Sequence, residues 1–223
     1  MTKLNFTYFL VSLFCLLLAF CSSPQEEHQD SEEQTESLAN QPKYEQILHM
    51  GIQKMPRWIE HWQMQGREFD KMAFKMHRQT EYEVFEWPEE YGMNSDYPLK
   101  AHQFVHPEDK GIVDLYDYKI DLDADGRVGF NPDSEVAYFR ANGMKERLLF
   151  MGPMGIFEDA VWVTGSHLLV AGHVQEGEYF LPRIWLIIPD EHRYVEFHHP
   201  FSTTKYQSEQ YLRKKLSNLN FPQ

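Results

Sequence analysis

The chain has 223 residues, with 34 Asp and Glu against 21 Lys and Arg, for a formal net charge of −13. That balance excludes a nucleic-acid-binding surface, because phosphates demand basic partners, and it disfavours electrostatic adsorption to anionic lipid. Only two cysteines occur, Cys15 and Cys21, so no disulfide framework can hold the body of the chain together.

The N-terminal segment, residues 1–20, has a cationic start at Lys3. An uncharged, largely apolar run follows from Leu4 to Phe20, interrupted by Asn5, Thr7 and Ser12. This order of charge, apolar stretch and cleavage zone predicts a secretory signal. The run is at the short end of what crosses a bilayer and has no basic flank on its far side, so a spanning helix is the weaker reading. Its end, Leu18-Ala19-Phe20-Cys21, resembles the lipobox of bacterial lipoproteins and departs from it at Phe20, where that family prefers Gly, Ala or Ser. The resemblance implies cleavage before Cys21, lipid on the Cys21 sulfur, and an outer-membrane anchor facing the periplasm or the cell surface. Such cleavage removes Cys15 and leaves Cys21 as the one cysteine of the mature chain.

Residues 21–41 contain six acids (Glu26, Glu27, Asp30, Glu32, Glu33 and Glu36) and no Lys, Arg or aromatic side chain. Such a stretch cannot bury enough apolar area to offset its ordering entropy, which predicts a disordered acidic tether. Acids soon after a lipidated cysteine also resemble the surface-export signal of some Gram-negative lipoproteins.

Residues 42–223 are expected to form a single β-rich domain with a core of its own. Tyr44, Ile47, Leu48, Ile52, Met55, Ile59 and Trp62 recur at three- and four-residue steps, predicting an amphipathic helix over 43–65 that bends at Met55-Pro56. Glu68 to Thr80 fits either a helix or a strand. Beyond it the period is two. Strands are expected over 82–87 and 112–122, the latter with Tyr116, Tyr118, Ile120 and Leu122 on one face. Hairpins are expected around Asn142-Gly143 and around Gly165-Ser166. Ile184-Trp185-Leu186-Ile187-Ile188 is apolar on both faces and should be the most buried strand, with 194–198 pairing back onto it. A closing helix is expected over 205–219. The predicted fold class is α+β: an N-terminal helical segment, an antiparallel meander or sandwich of eight to nine strands, and a C-terminal helix.

The sharpest local motif is Asp121-Leu122-Asp123-Ala124-Asp125-Gly126. Alternating aspartates bring three carboxylates into one loop, and oxygen ligands so arranged suit Ca²⁺. The motif resembles the start of an EF-hand loop, but its twelfth position is Pro132 rather than Glu. Asp121, Asp123 and Asp125 are therefore candidate Ca²⁺ ligands, set against a β-hairpin turn centred on Asp125-Gly126 that needs no metal.

Eleven histidines include the groups His102/His106 and His198/His199, and His173 near Glu176 and Glu178, none with the spacing of a zinc motif. Gly165-Ser166-His167 reads as a turn, and no nucleophile elbow, phosphate loop or dinucleotide fingerprint occurs. Glu158-Asp159 beside Trp162 is a weak match to a glycosidase pair, since two adjacent acids do not flank a sugar. No catalytic residue is assigned and the reading leans away from an enzyme. The chain as a whole is similar to uncharacterised Gram-negative lipoproteins with one β-rich domain. Its expected role is a lipid-anchored binding or structural module with a protein or glycan partner in the envelope. The alternatives are a Ca²⁺-binding module on the Asp121–Asp125 loop or a hydrolase.

Overall fold

The structure is a computed structural model and describes residues 40–89, 91–123 and 125–221. The signal segment, Cys21 and the expected tether up to residue 39 lie outside the described residues, as does Ala124, while residues 40 and 41, counted with the tether, are the start of a helix.

The chain enters as helix α1 (residues 40–53) and continues after a break as α2 (Pro56–Gln63). The break falls where the sequence predicts a bend. Pro56 has no N–H to donate and sits at the first position of α2, while Met55 is non-helical at φ −116°, ψ 51°. The apolar stripe is buried as expected: Leu48, Ile52, Met55, Ile59 and Trp62 all belong to the core, and Trp58, outside that stripe, joins them.

Twelve strands follow among the described residues: β1 (Lys75–Glu81), β2 (Glu86–Pro88), β3 (Phe104–Val105), β4 (Gly111–Asp114), β5 (Ile120–Leu122), β6 (Val128–Phe130), β7 (Ser134–Arg140), β8 (Met144–Met151), β9 (Gly155–Thr164), β10 (His167–Glu176), β11 (Tyr179–Ile188) and β12 (Arg193–His198), before the short helix α3 (Gln210–Lys215). Four of them, β2, β3, β5 and β6, have only two or three residues, too few for an alternating pattern to register. The other eight agree with the expected count.

Sheet 1 has the order β1-β12-β11-β10-β9 and sheet 2 the order β2-β8-β7-β4-β3, while β5 and β6 form a separate hairpin. All of these pairings are antiparallel. Val113, Val136, Tyr138 and Leu148 of sheet 2 share one core with Ile156, Leu168, Val170, Ile184 and Leu186 of sheet 1, making the body sandwich-like. Helix α1 lies on sheet 1: a β-carbon added at Gly51 would sit 2.4 Å from Leu169. Arg183 through Ile188 of β11 are buried, as a strand apolar on both faces requires. Among the described residues no helix is long and apolar enough to cross a membrane.

Three expectations change. The strand expected over 112–122 is broken, because the buried Asp114 carboxyl accepts the backbone N–H groups of Tyr116 at 2.7 Å and Asp117 at 2.9 Å and turns the chain. Tyr116 and Ile120 are then buried, while Tyr118 points outward, 38% exposed. The strand expected over 82–87 is reduced to Glu86–Pro88, with β1 ending at Glu81. The closing helix contracts to Gln210–Lys215, because Tyr206 leaves the helical path to bond Glu158 in the core. A long-range bond there overrides local propensity.

Candidate functional site

The predicted aspartates lie in the β5–β6 hairpin. Asp123 Oδ1 accepts the N–H of Asp125 at 2.9 Å and of Arg127 at 2.8 Å, and Gly126 takes φ +75°. Asp121 is a strand residue paired with Gly129, and the exposed Asp125 pairs with Arg127 at 3.9 Å. The loop thus has the bonding of a tight turn in which one aspartate caps two amides. Among the described residues, no three His, Cys, Asp or Glu side chains converge as a metal-ligand group.

The histidine groups disperse to separate partners. His102 meets Asn218, His106 meets the Gly165 carbonyl, His198 meets Glu196, and His199 meets the Asp70 carbonyl. Gly165-Ser166 is the β9–β10 turn, where the Ser166 N–H is accepted by Thr164 Oγ1.

The concentration of buried polar chemistry is at Glu158 and Asp159. The register against β10 slips here: Asp159 pairs with Ala171 and Phe157 with Gly172, leaving Glu158 as an extra residue. A β-bulge of this kind breaks strict alternation and turns two successive side chains to one side. Glu158 is fully buried, and its carboxyl accepts the Trp58 indole N–H at 2.8 Å. The same carboxyl meets His173 Nδ1 at 2.9 Å and accepts the Tyr206 hydroxyl. Asp159 accepts the Tyr211 hydroxyl and pairs with Lys215. The Glu158 carbonyl accepts the Tyr116 hydroxyl at 3.0 Å. Four segments (α2, β10, the stretch around Tyr206, and α3) are thereby pinned to two adjacent side chains of β9.

Electrostatics follow burial. The Tyr206 and Tyr211 hydroxyls are held far above their ordinary range by desolvation, then by the neighbouring Glu158 and Asp159 carboxyls. They serve as fixed donors. Burial lowers Lys215, against the opposing pull of Asp159. His61 lies edge-on to both Tyr206 and Tyr211, ring centroids 5.3 Å apart in each case. It is 2% exposed and neither ring nitrogen has a hydrogen-bond partner. Burial is the chief cause that lowers its pKa, with Lys214 and His173 acting the same way and Glu158 opposing.

Outside this closed cluster, α2 and α3 frame a cavity of about 120 Å³ lined by Arg57, Tyr211, Lys214 and Lys215. A second feature lies on sheet 2. Arg147 sits over Phe150 at 4.8 Å, Phe85 at 5.1 Å and Trp87 at 5.8 Å, and Phe150 meets Tyr118 at 5.7 Å. Phe85 is 55% exposed and Phe150 46%. A register shift at Val136/Ala137 explains the odd step that brings both Arg147 and Phe150 of β8 to this surface. Glu135 fixes the guanidinium at 2.7 Å.

Sequence reasoning noted Glu158-Asp159 only as adjacent acids near Trp162. The tryptophan beside Glu158 is Trp58, whereas Trp162 donates to the Phe104 carbonyl at 3.3 Å. The signal that could have found the site is two acids embedded in the apolar run Gly155–Val163. No family model, no curated protein and no solved structure matches this chain.

Proposed function

We propose that this chain is a lipid-anchored module of the cell envelope that binds a protein partner and performs no chemistry of its own. Cys21 carries the anchor, residues 22–41 space the body from the membrane, and the body meets its partner on sheet 2. The observation that carries the reading is the line Tyr118, Phe150, Arg147, Phe85 and Trp87. Aromatic and arginine side chains dominate the energetics of protein interfaces, where they add large rigid contact area at little entropic cost. Here the guanidinium is already held by Glu135 and by three rings, so little freedom remains to be lost on binding. The buried Glu158–Asp159 pair fits the same account, because the acceptors of Glu158 are already engaged by Trp58, His173 and Tyr206. The acidic surface of the chain favours a partner with a basic rim.

Two measurements test the proposal. Cys21→Ser should move the protein from the membrane fraction to the soluble fraction, and unchanged retention would refute the anchor. A photocrosslinker at Phe85 or Phe150 should give a discrete adduct in cells, lost in the Arg147→Glu background, whereas one at Tyr179 should not. Equal labelling from all three positions would refute the binding face.

A further inference from the structure

We propose that the cavity between α2 and α3 is a binding site for a phosphoryl anion. Its lining is cationic in a chain of net charge −13: Arg57 from α2, with Lys214 and Lys215 from α3, around the Tyr211 ring. The Asp159 carboxyl neutralises only Lys215. Among the described residues, neither Arg57 nor Lys214 forms an ion pair, so two positive charges face the cavity unbalanced. The floor is rigid, because Tyr211 and Lys215 are both bonded to Asp159 in the bulge of β9. On α2, His61 lies one turn beyond Arg57 on the same face and packs against the Tyr211 ring. The wall behind the cavity is therefore built from groups that cannot swing in to neutralise it.

The cavity, of about 120 Å³, has room for a small oxyanion, and its chemistry selects one. Arginine offers a planar fork matched to phosphate and lysine a compact point charge, and both occur here. Inorganic phosphate and the phosphodiester of an anionic lipid headgroup share this chemistry. A headgroup would be within reach of a chain tethered at Cys21.

The test uses the full chain. Calorimetric titration with inorganic phosphate, with sodium chloride at matched ionic strength as control, should give saturable binding. Arg57→Gln and Lys214→Gln each remove one charge-assisted contact and should weaken it about tenfold. Both residues are exposed, and an unchanged melting temperature certifies that each variant folds. In a second arm, full-length Cys21→Ser protein is sedimented with phosphatidylcholine vesicles with and without phosphatidylglycerol. Recruitment that depends on phosphatidylglycerol and on Arg57 assigns the site to a headgroup. Phosphate binding without recruitment assigns it to the free anion. Failure of both arms, or variants that bind as tightly as the parent, would overturn the site. Neither result bears on crosslinking at Phe85 and Phe150, so the two proposals stand or fall separately.

Discussion

Trp58 donates its indole N–H to the Glu158 carboxyl at 2.8 Å, tying α2 to β9 across 100 residues of sequence. The acceptor is fully buried and also serves His173 and Tyr206, so three donors depend on one side chain. A buried donor left without a partner costs about 1–3 kcal/mol.

Glu158→Ala is therefore expected to destabilise the fold by at least about 3 kcal/mol. At roughly 2–4 °C per kcal/mol for a domain of this size, the melting temperature should fall by about 6–12 °C. Trp58→Phe orphans no donor and should cost less. Thermal unfolding followed by circular dichroism checks both, and a fall of under about 2 °C for Glu158→Ala would show the cluster to be energetically idle.

Stability should decline on mild acidification. Burial lowers His61, His198 and His199 from the ordinary value of 6.5. Below that pH the unfolded chain takes up protons that the folded chain refuses, so acid favours unfolding. The loss starts near 6.5 and continues until the pH reaches the lowered folded values. His61→Leu should flatten the slope by up to about 1.4 kcal/mol per pH unit. Urea unfolding above 6.5 and a unit below it measures this, and parallel slopes in parent and variant would contradict it.

The β9 bulge needs a bare backbone on the neighbouring strand. A β-carbon at Gly172 would lie 2.0 Å from the Ile156 carbonyl oxygen, which is impossible without moving main chain. Gly172→Ala should cost about 1–3 kcal/mol, as overpacking does. Gly129→Ala is the control, because its added carbon would meet Asp121 at an ordinary 3.6 Å. Denaturant midpoints of the two variants should differ clearly.

These sites show which layers of the fold were legible in the sequence. Asn142-Gly143 announced its hairpin, although the connection is a three-residue loop, 141–143, in which Gly143 alone takes a positive φ, +86°. Pro56 announced its helix break through a missing N–H. The Glu158–Asp159 arrangement was not legible, because alternation assumes one residue per pairing step and a bulge inserts an extra one. The end of β4 at Asp114 was not legible either, because nothing local says that its carboxyl will cap Tyr116 and Asp117. Trp62 was legible as core, since it follows the helical period, whereas Trp58 lay outside the expected stripe and its donor role depends on a partner in a distant strand.

The Asp121–Asp125 loop yields a sharp comparison. Asp123→Ala loses two bonds to backbone amides and should cost about 1 kcal/mol or more, while Asp121→Asn should be nearly silent. Melts in millimolar calcium and in chelator are expected to coincide. A rise with calcium that disappears in both variants would reassign the turn as a cation site.

The spread of the Glu158 partners also bears on the order of assembly. Its donors come from positions 58, 173 and 206, and its neighbour Asp159 waits for 211 and 215. A chain emerging N-terminus first presents Trp58 long before Tyr206 exists to complete the set. Until the final stretch emerges, Glu158 lacks its Tyr206 donor and Asp159 lacks Tyr211 and Lys215. Three of the five side-chain partners of Glu158 and Asp159 thus lie in the last eighteen residues, so a chain truncated before 206 loses most of the cluster at once.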